Sequence, residues 1–273
     1  AIQARVRVRY SELLRAEDLM HLSEAQDYPA LLAQLKQSVY EPYLNQVKES
    51  SLTPRRLAYQ LRLKLVDAFE LILNQSPQYT HELIQHFMRR FEVDNLKGIL
   101  RGIISGSEWD TVRYVLFPLR TTVIPGEAMF EAGNINAAIE LLQGTPYYET
   151  LSFAIKRYNT ERSLFPLEVA LDLVYVRRMW ELIQALPGED RQHAVRVVGT
   201  LMDTYNLMWA IRYRVYYNLS EEEIINYTLP IGYQVKDADI RAIAAGADIG
   251  MVVSRLYPDL RDVNSMLQNP VDG

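Results

Sequence analysis

His81-Glu82-x-x-x-His86 comes close to the two-histidine spacing of a zinc-binding helix, but it has one residue too many. Five helical residues turn through about 500°, leaving the two rings about 140° apart, so they cannot share one ion. Glu168 and Asp172 stand four apart on one helix face, where a carboxylate pair can do acid-base work or hold a divalent cation. The simpler expectation is a hydrated surface pair. Glu221, Glu222 and Glu223 follow Ser220, which reads as a capping box with first-turn acids facing the positive end of a helix. No glycine-rich phosphate loop, G-x-S-x-G or paired aspartate box occurs. No catalytic constellation, metal site or cofactor site is therefore expected.

One constellation recurs. Glu92-x-x-Asn95-Leu96-x-x-x-Leu100-Arg101 is matched by Asp203-x-x-Asn206-Leu207-x-x-x-Ile211-Arg212. Acid and amide, three apart, share a helix face, whereas the arginine nine residues on points about 180° away. Each arginine must reach another helix, another copy of the unit or another protein. Duplication of a catalytic site is not expected, because Asp94 becomes Tyr205 and Lys97 becomes Met208.

The elements that position these residues read as helices. Leu83, Phe87, Met88, Phe91, Leu96, Ile99, Leu100 and Ile103 recur at steps of three and four, a stripe for a helix of about six turns. Thr53-Pro54 supplies a cap and a first-turn proline; Pro166 repeats the proline, with Phe165 in the capping place. Long helices should run from these to about Asn74 and Leu186, stopped by Ser76-Pro77 and Pro187-Gly188. Segments Leu116 to Gly126 and Leu229 to Lys236 carry the Pro and Gly signals of joints. Arg5, Arg7 and Arg9 alternate with valine, yet Leu13, Leu14, Leu19 and Leu22 favour helix here too. Gly98, Gly102 and Gly106, spaced by four, should let a neighbouring helix approach closely.

The repetition extends along the chain. SLTPRRLAYQL from Ser51 is echoed by SLFPLEVALDL from Ser163; Tyr40 pairs with Tyr147, and Pro118 with Pro230. The separations are 107 to 112 residues and keep their order, as in a tandem duplication. A unit of about 110 residues can hold its own small core. The expected domains are a first repeat over 1–117, a second over 118–230 and the start of a third over 231–273, where Ile243-Ala-Ala-Gly246 stands for Phe130-Glu-Ala-Gly133. At this period the third should continue for about 70 residues beyond Gly273, so the sequence reads as lacking most of it.

Apolar residues make up 49% of the 273 and charged ones 23%, which is globular and not disordered composition. No run of about 18 uncharged apolar residues suits a membrane span. The formal charge of -5 disfavours nucleic acid, whose phosphates need a concentrated basic excess. Cysteine is absent, so disulfides and thiolate metal sites are excluded.

Asp94-Asn95-Leu96-Lys97-x-x-Leu100-Arg101, Tyr205-Asn206-Leu207 with Arg212, Leu219-Ser-Glu-Glu-Glu-Ile224 and Leu229-Pro230-x-Gly232 together resemble the C-type component of V-type and A-type rotary ATPases, whose eukaryotic counterpart is the d-type component. The resemblance implies an all-α fold: pseudo-symmetric bundles of long helical hairpins forming a funnel. It implies a non-catalytic, cytoplasmic adaptor, peripheral to the membrane, that links central shaft subunits of the D and F type to the membrane rotor ring and passes torque, with no cofactor. For the socket, the repeated Asn95, Arg101, Asn206 and Arg212 are the expected partner-binding residues, with Tyr213 and Tyr216 lining it. A helical interaction scaffold unrelated to rotary motors is the rival reading.

Overall fold

The computed structural model describes residues 2–229 and 231–258, and all of its regular elements there are helical. Pro230, expected to open the third copy, and residues 259–273 lie outside the described residues. Fifteen α-helices are described: α1 (Ile2–Ser11), α2 (Ala16–Ser23), α3 (Tyr28–Lys36), α4 (Glu41–Leu44), α5 (Pro54–Leu73), α6 (Gln78–Ser105), α7 (Trp109–Val112), α8 (Gly126–Glu131), α9 (Ile135–Glu140), α10 (Tyr148–Glu161), α11 (Phe165–Gln184), α12 (Gly188–Val215), α13 (Glu221–Tyr227), α14 (Asp237–Ala244) and α15 (Ile249–Leu256).

Local chemistry explains where these helices start and stop. Thr53 accepts the Arg56 N–H at 3.4 Å, and Pro54 fills the first helical position of α5, where its missing N–H leaves nothing unsatisfied. In α11 the expected capping residue is displaced. Phe165 is the first helical residue, and Ser163 Oγ accepts its N–H at 3.2 Å, because phenylalanine has no acceptor and the nearest hydroxyl lies two residues upstream. Asp27, Asn134 and Asp248 cap α3, α9 and α15 by the same side-chain acceptance. At α13 Ser220 and Glu223 form the expected capping box.

The chain forms two compact units, Ala1–Leu171 and Asp172–Gly273, whose division falls inside α11. In the first, α5 and α6 pack together, α4 lies on α5, and α7, α8 and α9 pack on α6. Leu32, Leu35, Leu44, Leu52 and Leu57 make one apolar cluster, with Tyr28, Tyr40 and Leu61 against it. Leu96, Ile99, Leu100, Met129, Ile135, Ile139 and Leu142 are buried where α6 meets the short helices that follow. Burying such a side chain contributes about 1.5–3 kcal/mol, which is why a short helix such as α8 is held by packing and not by its own propensity. In the second unit α12 packs on α13 and α14, and α14 on both α13 and α15.

The glycines of α6 behave differently from one another. A Cβ on Gly102 would press on Val112 at 2.8 Å and on Phe130 at 3.0 Å, and one on Gly98 would meet Leu116 at 3.0 Å. The close neighbours are thus α7, α8 and the joint, not a second long helix. Gly106 is no part of that face: its φ of +63° ends the helix in a left-handed cap.

Candidate functional site

The described features that recur most fully are the two joints, where a long helix hands over to the next short one. At the first, Glu92 of α6 is buried and fully engaged. Its Oε1 accepts the Thr122 hydroxyl at 2.6 Å and the Val123 N–H at 2.9 Å; its Oε2 accepts the Tyr147 hydroxyl at 2.6 Å. One turn on, Asn95 exchanges two bonds with Phe117, accepting its N–H at 2.6 Å and donating to its carbonyl at 2.9 Å. The Phe117 ring stacks on Phe91 with centroids 3.8 Å apart.

At the second joint Asp203 of α12 is fully buried. Its two oxygens accept the backbone N–H groups of Tyr233 at 2.8 Å and Gln234 at 2.7 Å. Asn206 accepts the Leu229 N–H at 2.9 Å and donates to the carbonyls of Leu229 and Ile231, both at 2.9 Å. Tyr257 completes the arrangement. Burial first, and then the charge and hydrogen bond of Asp203, push its phenol above the usual tyrosine range. Gly232 is required here, because a Cβ would be driven into Asp203 Oδ1 and the Val235 carbonyl.

Acid and amide serve one purpose on one face: they satisfy loop backbone groups that leave helical pairing inside the protein, where an unpaired group costs about 1–3 kcal/mol. The arginines point elsewhere, as their spacing requires. Arg101 reaches across to Glu168 in the first turn of α11, a two-pronged pair at 2.6 and 2.8 Å. Arg212 is exposed on α12. Tyr213 is buried edge-on to Tyr217 and Tyr227, whereas Tyr216 is exposed. Thus Asn95 and Asn206 form the joints, Tyr213 belongs to the core, and Arg101, Arg212 and Tyr216 reach the surface.

The expected hydrated pair of Glu168 and Asp172 is corrected. Glu168 is held by Arg101, and Asp172, one turn further along α11, is buried. His81 binds the Leu73 carbonyl through Nδ1 at 3.1 Å, and His86 is buried. Among the described residues no group of three or more His, Asp or Glu is placed to hold a metal ion. A cleft of about 200 Å³ opens beside the first joint, lined by Asn95, Ile99, Trp109, Phe117 and Glu127 among others. Among the described residues no helix is long and apolar enough to cross a membrane.

Sequence reasoning misses two parts of the joints. The repeat pairs Tyr147 with Tyr40 and gives no hint of Glu92, and nothing near Tyr257 marks it out. A signal does lie in the spacing, since Tyr257 follows Tyr147 by nearly the same interval that separates Asp203 from Glu92. Arg214 is missed as well. Its guanidinium donates to the carbonyls of Ile243 at 3.0 Å, Gly246 at 3.1 Å and Ala247 at 2.6 Å, closing the end of α14.

The family profile described as ATP synthase (C/AC39) subunit matches residues 2–269. The chain belongs to this family. It is the family that the acid-x-x-Asn-Leu helices resembled. The A-type ATP synthase C subunit of Methanocaldococcus jannaschii is 25% identical over 258 residues, covering 93% of this chain and 64% of that protein. The same subunit of Haloquadratum walsbyi is 32% identical over 184 residues, 65% of this chain and 52% of the relative. That of Haloferax volcanii is 25% identical over 251 residues, 90% and 69% respectively. The chain thus spans about two thirds of the length of the Methanocaldococcus relative.

Proposed function

We propose that this ATP synthase (C/AC39) family member is a non-catalytic adaptor in the central stalk of an A-type or V-type rotary ATPase. It links shaft subunits of the D and F type to the membrane rotor ring and transmits torque between ATP turnover and ion movement. The observation that carries the reading is the family match along nearly the whole chain, joined to relatives that are the C component of A-type ATP synthases. The acids of the joints are engaged in backbone hydrogen bonds, which suits a mechanical part. Stiffness matters for torque, since a compliant coupler would store each step as strain.

In this reading the units are tandem repeats around an axis, and the protein works at the cytoplasmic face of the membrane through the ring. Contacts with shaft and ring fall at joints and helix ends, where Arg101, Arg212 and Tyr216 reach the surface, while Asn95, Asn206 and Tyr213 hold the shape behind them. Co-purification of the full chain with the shaft and ring subunits of its own complex tests the proposal. Retention of both on the tagged chain is expected; retention of neither returns the reading to a helical scaffold unrelated to rotary motors.

A further inference from the structure

Two clefts of the first unit adjoin at the first joint, and they differ in chemistry. The smaller, of about 200 Å³, is walled by Ile99, Trp109, Leu116, Phe117 and Leu119, with Glu127 also on its lining. Of these five apolar residues only Ile99 is buried, so the other four turn part of their surface to water. Val115 and Val123, in the same stretch of chain, are 56% and 51% exposed. The larger cleft, of about 520 Å³, is lined by Thr53, Arg55, Asp110, Thr111 and Tyr114. Tyr59 lines the smaller cleft and Tyr114 the larger, and their rings meet edge-on with centroids 5.6 Å apart. These two rings form a shared wall.

The larger cleft is cationic. Arg56 holds its guanidinium 5.2 Å from the centre of the Tyr114 ring, and Arg113, which lines the smaller cleft, holds its own at 4.7 Å. Arg113 pairs with Asp110 at 3.0 Å, which neutralises the carboxylate of the larger cleft. Arg55 and Arg56 have no carboxylate partner among the described residues, and the Arg56 Nε–H is buried without an acceptor. Two positive charges are therefore left open on a chain whose formal charge is -5.

None of this belongs to the repeat. At the interval of 112 residues that carries Pro118 to Pro230, Arg55 and Arg56 fall on Leu167 and Glu168, Trp109 on Glu221 and Tyr114 on Asn226. The acid-amide device stands in both copies without these residues, so closing a joint does not require them. Size narrows what the smaller cleft can hold. A cavity of about 150 Å³ accepts benzene, so this one has room for a single aromatic side chain. Glu127 is exposed, makes no hydrogen bond among the described residues, and can accept the N–H of an indole.

We propose that the adjoining clefts bind a short segment of a partner protein that carries a tryptophan and, a few residues from it, a pair of acids. The indole enters the smaller cleft beside Trp109 and Phe117 and gives its N–H to Glu127, while the carboxylates meet Arg55 and Arg56. The aromatic anchor supplies most of the affinity, and the arginines set orientation and salt dependence. The inference rests on the lining and charge of the clefts and not on the rotary reading, so either can fail while the other stands.

The probe is a set of fluorescein-labelled peptides, each with one tryptophan and a pair of glutamates at varied spacing on either side of it, titrated into the full chain and followed by fluorescence polarisation. At least one member should bind saturably, about tenfold or more tighter than its counterpart with alanine for tryptophan. Arg55→Glu combined with Arg56→Gln should weaken that peptide several-fold and leave its glutamine counterpart unmoved, whereas Leu119→Asp should weaken both. Circular dichroism checks that the variants fold, and the paired peptides decide the matter on the unaltered chain if one does not. A set without a saturable binder overturns the proposal. So does binding that ignores the loss of tryptophan, which a cationic patch alone would give, or binding indifferent to the arginine variant. A dimer of the chain that the arginine variant dissolves overturns it too, because the clefts then receive a second copy.

Discussion

The two joints solve one problem with different reach. The first uses glutamate and gathers two side-chain hydroxyls and one N–H; the second uses the shorter aspartate and takes two consecutive backbone N–H groups and the single hydroxyl of Tyr257. One methylene decides the difference. A shorter acid on α12 must draw the loop close, and that approach is possible only because Gly232 has no Cβ. At the first joint the longer acid lets the loop stand off, and Thr122 and Tyr147 fill the interval. The acid-amide pair is therefore a fixed device, while its surroundings adapt to the length of the acid.

Removing the acids should break the comparison most. Asp203→Ala leaves two backbone N–H groups and the Tyr257 hydroxyl without their acceptor. A loss of about 3 kcal/mol or more is expected in urea unfolding followed by circular dichroism. Glu92→Ala should cost somewhat less, because the hydroxyls of Thr122 and Tyr147 can turn to other acceptors while the Val123 N–H cannot. Equal losses at the two sites would show that side-chain and backbone donors are equivalent here.

Gly232→Ala sharpens the same point. Pressing a Cβ on Asp203 and the Val235 carbonyl should cost about 1–3 kcal/mol, as overpacking does. If stability is unchanged, the loop does not need its close approach.

Alkaline titration tests the first unit by a different route. The Tyr43 hydroxyl donates to Asp67 at 2.8 Å in the first unit, and burial, followed by that bond and the carboxylate charge, raises its pKa to about 12. The unfolded chain releases this proton near its ordinary value of about 10. Stability from this phenol is thus fully present below pH 10 and is lost as pH climbs from about 10 toward 12. Tyr43→Phe should flatten that part of the stability profile, and an unaltered slope would remove Tyr43 as its source.

The smallest effect belongs to the surface. Arg101 is 63% exposed in its pair with Glu168, so Arg101→Ala should change unfolding stability by no more than about 1 kcal/mol in a thermal melt. A larger loss would mean that the pair is shielded from water more than its exposure implies.

Much of this is legible in residue order. Three-four periodicity, Thr53-Pro54, Ser76-Pro77 and the Ser220 capping box locate the helices, because those signals act within a few residues of where they stand. The acid and amide of the joints are legible as a pair, since three helical residues bring them to one face. Their use is not. Nothing local says that Asn95 will meet Phe117 or Asp203 the backbone of Tyr233, because the partner is decided by where the loop returns. Asp172, one turn from Glu168, reads as hydrated until the inward face of α11 is known.

The amino-acid order by itself determined a helical chain with a repeated acid-amide-arginine pattern and breaks at its joints, since capping, propensity and amphipathic spacing are short-range physics. Only the tertiary structure decided which carboxylates are buried and that two tyrosines close the joints from more than fifty residues away. Those outcomes depend on which surfaces meet, and burial is a property of neighbours far apart in sequence.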